Sequence, residues 1–163
     1  RFGELSGPIA GVAVPLFSLR TERSIGIGQF PDIVPLARWC AGVGLRVIQL
    51  LPVNDTGSSS SPYGALSAFA LNPVYIDVLE IPGSACVRAD LDSWRAAHEG
   101  ERRVAYEAVR ETKLRALRRI FAAAWRPALE RELRGWIADR PWAVAYAAFM
   151  AMREEAAGAP WWS

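Results

Sequence analysis

PDIVPLARWCAGVGLRVIQLLPV, residues 31–53, holds a helix and a strand in immediate succession. Pro31 suits a first helical turn, Asp32 sets negative charge at the positive end of the helix dipole, and Gly42 and Gly44 are stop signals. Ile33, Leu36, Ala37 and Cys40 recur at helical spacing and form one apolar face, which makes Cys40 a packing residue rather than a nucleophile. Residues 46–53 (RVIQLLPV) then read as a buried strand. Upstream, residues 9–19 (IAGVAVPLFSL) form a second apolar run of strand length, too apolar for a solvated face, with regular pairing ended by Pro15. Strand, helix and strand with short connections make a βαβ unit with parallel strands and a right-handed crossover. The expected fold class is therefore α/β. Ligands of such folds gather at the carboxyl ends of the strands, which directs attention to the loop after residue 53.

That loop lies within residues 50–72, LLPVNDTGSSSSPYGALSAFALN. Residues 54–61 are turn-forming and then serine-rich, the composition of a flexible surface loop or of a glycan or phosphate loop. A P-loop is excluded, because no Gly-Lys-Ser/Thr comes after Gly57. Pro62 and Gly64 restrict the backbone on either side of Tyr63. Residues 74–81 (VYIDVLEI) alternate enough to predict a further strand, ended by Pro82-Gly83. Between the first strand and the helix, residues 20–30 are expected to form a loop with Gly26 and Gly28 as its flexible points. Gly-Ile-Gly lacks the third glycine of a dinucleotide fingerprint.

From residue 89 the pattern is helical. Asp90 or Asp92 can cap a short helix through Ala97, and residues 101–125 are the longest periodic stretch, with Tyr106, Val109, Leu117, Ile120 and Ala124 as its apolar stripe. Lys113 interrupts that stripe and is expected to snorkel to solvent rather than pair with a buried acid. Arginines 102, 103, 110, 115, 118 and 119 alternate with Glu101, Glu107 and Glu111, which reads as a solvated face, with Glu111 and Arg115 one turn apart. Residues 128–137 and 142–152 are further helical pieces, with Trp136, Trp142 and Phe149 expected in core contacts. Pro160-Trp161-Trp162 would be an exposed apolar tail.

Composition narrows the function classes. The 163 residues suffice for one core, half are apolar, and the formal charge of +2 is too small to point to nucleic acid. No apolar run reaches membrane-span length and no signal-peptide pattern opens the chain, so neither a membrane nor export is indicated. Cys40 and Cys86 lack metal-ligand spacing and suit a reducing, cytoplasmic setting; no cofactor or metal is expected. His98, alone of its kind, lies in a charged helical stretch without a nucleophile elbow, so a hydrolase triad is not available. Asp32, Asp55 and Asp77 are carboxylates with no pairing that argues for acid/base work. These residues describe a binding loop without a catalytic apparatus.

GVAVPLFSLR at 11–20, GIGQFPD at 26–32, QLLPVNDT at 49–56 and SPYGALSAFALNPVYID at 61–77 resemble the N-terminal part of the 4-α-glucanotransferases (amylomaltases, or disproportionating enzymes). VAYEAV with Lys113 at 104–113, and WAVAYAAFMAMREEAAGAPWW at 142–162, extend the similarity over nearly the whole chain. The resemblance implies the N-terminal part of a (β/α)8 TIM barrel with an inserted helical subdomain. Residues 1–82 would supply the first strands, the first helix and the substrate loop, and residues 83–163 the helical insertion. The reaction implied moves an α-1,4-glucan segment from a donor to the 4-hydroxyl of another sugar, through a covalent glycosyl-enzyme. Maltodextrins, starch or glycogen would be the substrates.

Ser61 and Tyr63 match the family's Ser-Pro-Tyr loop, which implies contact with the donor sugar. Asn72 and Pro73 match its Asn-Pro. The family's catalytic carboxylates would fall beyond Ser163, so no catalytic residue is assigned here, and a chain that opens on Arg1 is expected to be part of a longer polypeptide. Three departures matter. The aromatic and aspartate that often precede Ser-Pro-Tyr in single-domain enzymes are serines here; Ala105 stands for the aspartate of Val-Asp-Tyr, beside Tyr106; and LPVNDT is closer to longer relatives that carry a preceding carbohydrate-binding domain. The competing expectation is a non-catalytic maltodextrin-binding or interaction module derived from the same barrel.

Overall fold

A computed structural model describes residues 7–156; the tryptophan pair at 161–162 lies outside the described residues. Two short strands, β1 (Gly11–Val14) and β2 (Val47–Leu50), pair in parallel with Gly11 opposite Val47 and Val14 opposite Leu50. The connection between them contains helix α1 (Ile33–Gly42), the βαβ order expected. β1 stops at Pro15, which cannot donate to a ladder, and a single 3-10 turn over Leu16–Ser18 comes next. Among the described residues four further α-helices follow: α2 (Arg88–Ala97), α3 (Tyr106–Ala124), α4 (Pro127–Ala138) and α5 (Trp142–Glu155).

The α/β expectation holds, but the core is not where the strands are. Along both strands, exposed residues alternate with half-buried ones. In α1 only Cys40 is buried, while Val34 and Trp39 on α1, Val43 at its end, and Val47 on β2 are exposed. The buried residues instead form two clusters between the 16–30 connection, the 73–87 segment and helices α2 and α3. One joins Ile25, Val78, Val87, Leu91, Ala116 and Ile120. The other joins Leu16, Ile27, Val74, Tyr75 and Val109. Gly26 and Gly28 are therefore packing points rather than flexible ones. A Cβ on Gly28 would lie 2.0 Å from the Leu16 carbonyl oxygen, and Gly26, at φ +69°, is pressed against Trp94.

The strand expected over 74–81 does not form. Asn72 Oδ1 accepts from Val74 N (3.1 Å) and Asp77 Oδ1 accepts from Leu79 N (3.1 Å), each capping a 3-10 turn, Pro73–Tyr75 and Val78–Glu80. Such local side-chain acceptors compete with sheet pairing for the backbone N–H groups. Lys113 removes the rest of the option. It is fully buried, and its Nζ donates to Gln29 Oε1 (2.7 Å), Val74 O (2.7 Å) and Ile76 O (2.9 Å). Snorkelling is thus corrected: Val109, Lys113, Ala116 and Ile120 occupy one buried face of α3, and the ammonium is aimed inward at three acceptors. The aromatics of the last two helices are also less buried than expected. No residue of α4 or α5 is fully buried, Trp136 is exposed, and Trp142 and Phe149 are not in the core.

Candidate functional site

The loop that leaves the carboxyl end of β2 is closed at its base by an isolated antiparallel bridge between Asn54 and Leu71. Asp55, only 3% exposed, organises it with every polar group it owns. Its N–H donates to Ala70 O (2.9 Å) and its carbonyl accepts from Leu66 N (2.7 Å). Oδ1 accepts from Gly57 N (2.8 Å), and Oδ2 accepts from the hydroxyl of Tyr146 on α5. Burial, and after it the Asp55 carboxylate, pushes the Tyr146 pKa upward, so this hydroxyl is a donor throughout the neutral range; Arg110 and Arg153 nearby pull weakly the other way. Thr56 and Asn72 continue the network: Thr56 Oγ1 donates to Ser59 O (2.7 Å), and Asn72 Nδ2 donates to Thr56 Oγ1 (3.3 Å).

The outer half of the loop is held more lightly. Ser59 Oγ accepts from Ser61 N (3.2 Å), and Gly64 N donates to Ser61 O (3.1 Å), so Ser61-Pro62-Tyr63-Gly64 is a hydrogen-bonded turn. Tyr63, at the third position of this turn, is 73% exposed, and Ser61 is exposed beside it. Both residues singled out from the sequence thus share one solvent-facing tip. Phe69, lower on the loop, stacks on Trp142 of α5 with ring centroids 5.7 Å apart and planes 21° apart. Tyr106, by contrast, faces inward, edge-on to Phe17 at 5.7 Å, and its hydroxyl is buried with no hydrogen-bond partner among the described residues.

The three aspartates that the sequence offers for chemistry are spent on structure. Asp32 accepts from the Thr21 and Ser24 hydroxyls and from Gln29 N, Asp55 organises the loop, and Asp77 caps a turn and pairs with Arg23 (3.2 Å). His98 bonds through Nδ1 to Trp94 O (2.8 Å), with its ring stacked on that indole at 3.9 Å. Among the described residues no group of three or more His, Cys, Asp or Glu is placed to hold a metal ion, and no helix is long and apolar enough to cross a membrane. A cleft of about 980 Å³ opens behind the loop, between Asp55, Gly57, α3 and α5. Two of the α3 arginines lining it reach other elements: Arg118 pairs with Glu154, and Arg119 pairs with Asp90. The Asp55–Tyr146 tie had no local signal, because its partners lie 91 residues apart.

An exposed aromatic and an exposed hydroxyl stand on a braced loop at the end of a parallel strand of an α/β protein, where ligands of such folds gather. Sequence comparison gives the lineage of the chain. The model of glycoside hydrolase family 77, described as 4-alpha-glucanotransferase, matches residues 14–163. A 4-alpha-glucanotransferase of Chlamydia pneumoniae is 34% identical over 160 residues, covering 95% of this chain and 30% of the relative. One from Oryza sativa subsp. japonica is 35% identical over 156 residues, covering 89% of this chain and 16% of the relative. The crystal structure of amylomaltase from Corynebacterium glutamicum superposes with a TM-score of 0.65 at 28% identity, over 77% of this chain and 19% of that one. The chain belongs to the 4-alpha-glucanotransferase family, glycoside hydrolase family 77. It spans about 30% of the length of the Chlamydia pneumoniae relative.

Proposed function

We propose that this chain forms the opening section of a cytoplasmic 4-α-glucanotransferase and builds one wall of its donor-sugar site. In this reading β1, α1 and β2 are the first elements of a (β/α)8 barrel, within residues 1–82. Residues 83–163 are a helical insertion packed over the loops. The substrates are α-1,4-glucans such as maltodextrins, starch or glycogen. The observation that carries the reading is Tyr63: a ring 73% exposed on a restrained turn, at the end of a parallel strand, in a chain of this family. Such a ring can cover the apolar face of a pyranose, while its hydroxyl and that of Ser61 bond sugar hydroxyls.

Retaining transfer needs a nucleophilic carboxylate and a carboxylic acid about 5 Å apart. Asp32, Asp55 and Asp77 are committed to backbone and hydroxyl donors, which supports catalytic carboxylates contributed by residues other than these. The uncovered apolar face of α1 and β2 supports completion of the barrel on that side. The test is Tyr63→Ala in the polypeptide that joins these residues to the catalytic carboxylates. KM for maltotriose should rise roughly tenfold with the loss of ring contact. Unchanged KM and kcat would remove Tyr63 from the glucan site. The 163-residue chain alone should release no glucose from maltotriose.

A second reading, a self-contained maltodextrin-binding module, draws on the two buried clusters that close between residues 16 and 120. It requires a cooperative thermal transition of the isolated chain together with saturable maltodextrin binding.

A further inference from the structure

Helix α5 spends one face on the loop that carries Ser61 and Tyr63. Trp142 stacks on Phe69, Tyr146 donates to Asp55 Oδ2, and a Cβ on Gly57 would come within 3.3 Å of Arg153 Nη1. Positions 142, 146 and 153 share a helix face, being four and then seven residues apart. That helix buries no residue completely, so the core does not hold these side chains in place. The contact at its centre is polar, a neutral hydroxyl donating to a buried carboxylate, which is a strong and directional bond. On the loop side, Asp55 joins the strand end, the turn at Gly57 and the closing segment near Ala70 at one point. Releasing Oδ2 therefore loosens the base of the loop rather than one of its contacts.

We infer that Tyr146 and Asp55 are positioning residues for the glucan loop: α5 braces the loop through their hydrogen bond and so sets where Tyr63 stands when a glucan arrives. The inference rests on the glucan-site reading above and adds the element that tunes it. Neither residue touches the sugar. Pre-ordering the loop removes an entropic cost from binding, so its loss acts on affinity before it acts on the chemical step.

Tyr146→Phe tests this in the polypeptide that contains the catalytic carboxylates, because it deletes one oxygen and keeps the ring beside Trp142. The expected result is a KM for maltotriose raised roughly fivefold, with kcat within about twofold of wild type. Amide hydrogen exchange of residues 56–66 should accelerate roughly tenfold, while exchange in α3 is unchanged. Asp55→Asn, which retains one acceptor oxygen for two donors, should fall between wild type and Tyr146→Phe. Wild-type KM together with wild-type exchange in Tyr146→Phe would overturn the brace. So would equal losses in kcat and in α3 protection, which mark general destabilisation. If Tyr63→Ala leaves KM unchanged while Tyr146→Phe still accelerates exchange, the brace stands and the glucan reading falls. If Tyr63→Ala raises KM and Tyr146→Phe changes neither readout, the reverse holds.

Discussion

Lys113 shows how much one side chain can decide. Its ammonium has three N–H donors and meets three acceptors, Gln29 Oε1 and the carbonyls of Val74 and Ile76, which links α3 to two loops distant in sequence. Burial opposes this charge and lowers the lysine pKa to about 7, with the Asp77 and Asp32 carboxylates pulling it back up. The folded chain therefore gives up a proton that the unfolded chain keeps between about pH 7 and the ordinary lysine value of 10.5. This group's contribution to stability is lowest below pH 7 and rises with pH across that window. Denaturant midpoints of wild type and Lys113→Met, measured at pH 6.5 and 9, should diverge in favour of wild type at the higher pH; parallel midpoints would contradict the shift. Gly28 makes a steric point of the same size. Gly28→Ala places a methyl against the Leu16 carbonyl oxygen and should cost about 3 kcal/mol in urea unfolding.

Among the elements, α3 begins without a cap. Ala105 is its N-cap residue and offers no side-chain acceptor, at the position where the family's usual Val-Asp-Tyr has aspartate. Ala105→Asp should stabilise the chain by about 1 kcal/mol, since an Asp oxygen there can take an orphan N–H of the first turn. In a chain of this size that is a rise in Tm of about 2–4 °C by scanning calorimetry, and an unchanged Tm would mean that the N–H groups are already satisfied. The 74–81 segment illustrates the opposite case, an element present in the pattern and absent in the fold. VYIDVLEI has the alternation of a strand, but Asn72 and Asp77 each stand two residues before the N–H group they take. The second of these turns then contributes Val78 to the core as a packed loop residue.

At the scale of the molecule, the core lies on the loop and helix side of the βαβ unit, and Val34, Trp39 and Val43 turn outward. Trp39 is 59% exposed, and Val34, Val43 and Val47 are exposed as well, apolar side chains that a fully solvated surface has no reason to keep. The isolated chain should therefore bind an apolar dye such as ANS, and Trp39→Lys should reduce that fluorescence by roughly half if this face is the binding surface. Equal fluorescence in the variant would place the exposed apolar area elsewhere. Cys40, buried on the same helix, should react slowly with a thiol reagent compared with the exposed Cys86.

The parallel strand pair, its connecting helix, the four helices after residue 87 and the restricted backbone around Tyr63 were legible in residue order. Each rests on short-range physics: apolar period, proline and glycine punctuation, and turn chemistry. Three things were decided by tertiary structure alone. The inward course of Lys113 depends on acceptors 84, 39 and 37 residues away. The packing of Gly26 and Gly28 depends on Trp94 and Leu16, and the brace on the loop joins Asp55 to Tyr146 across 91 residues. Local pattern carries no trace of such pairings, because a buried donor is specified by whichever acceptor the folded chain brings to it, not by its neighbours in sequence.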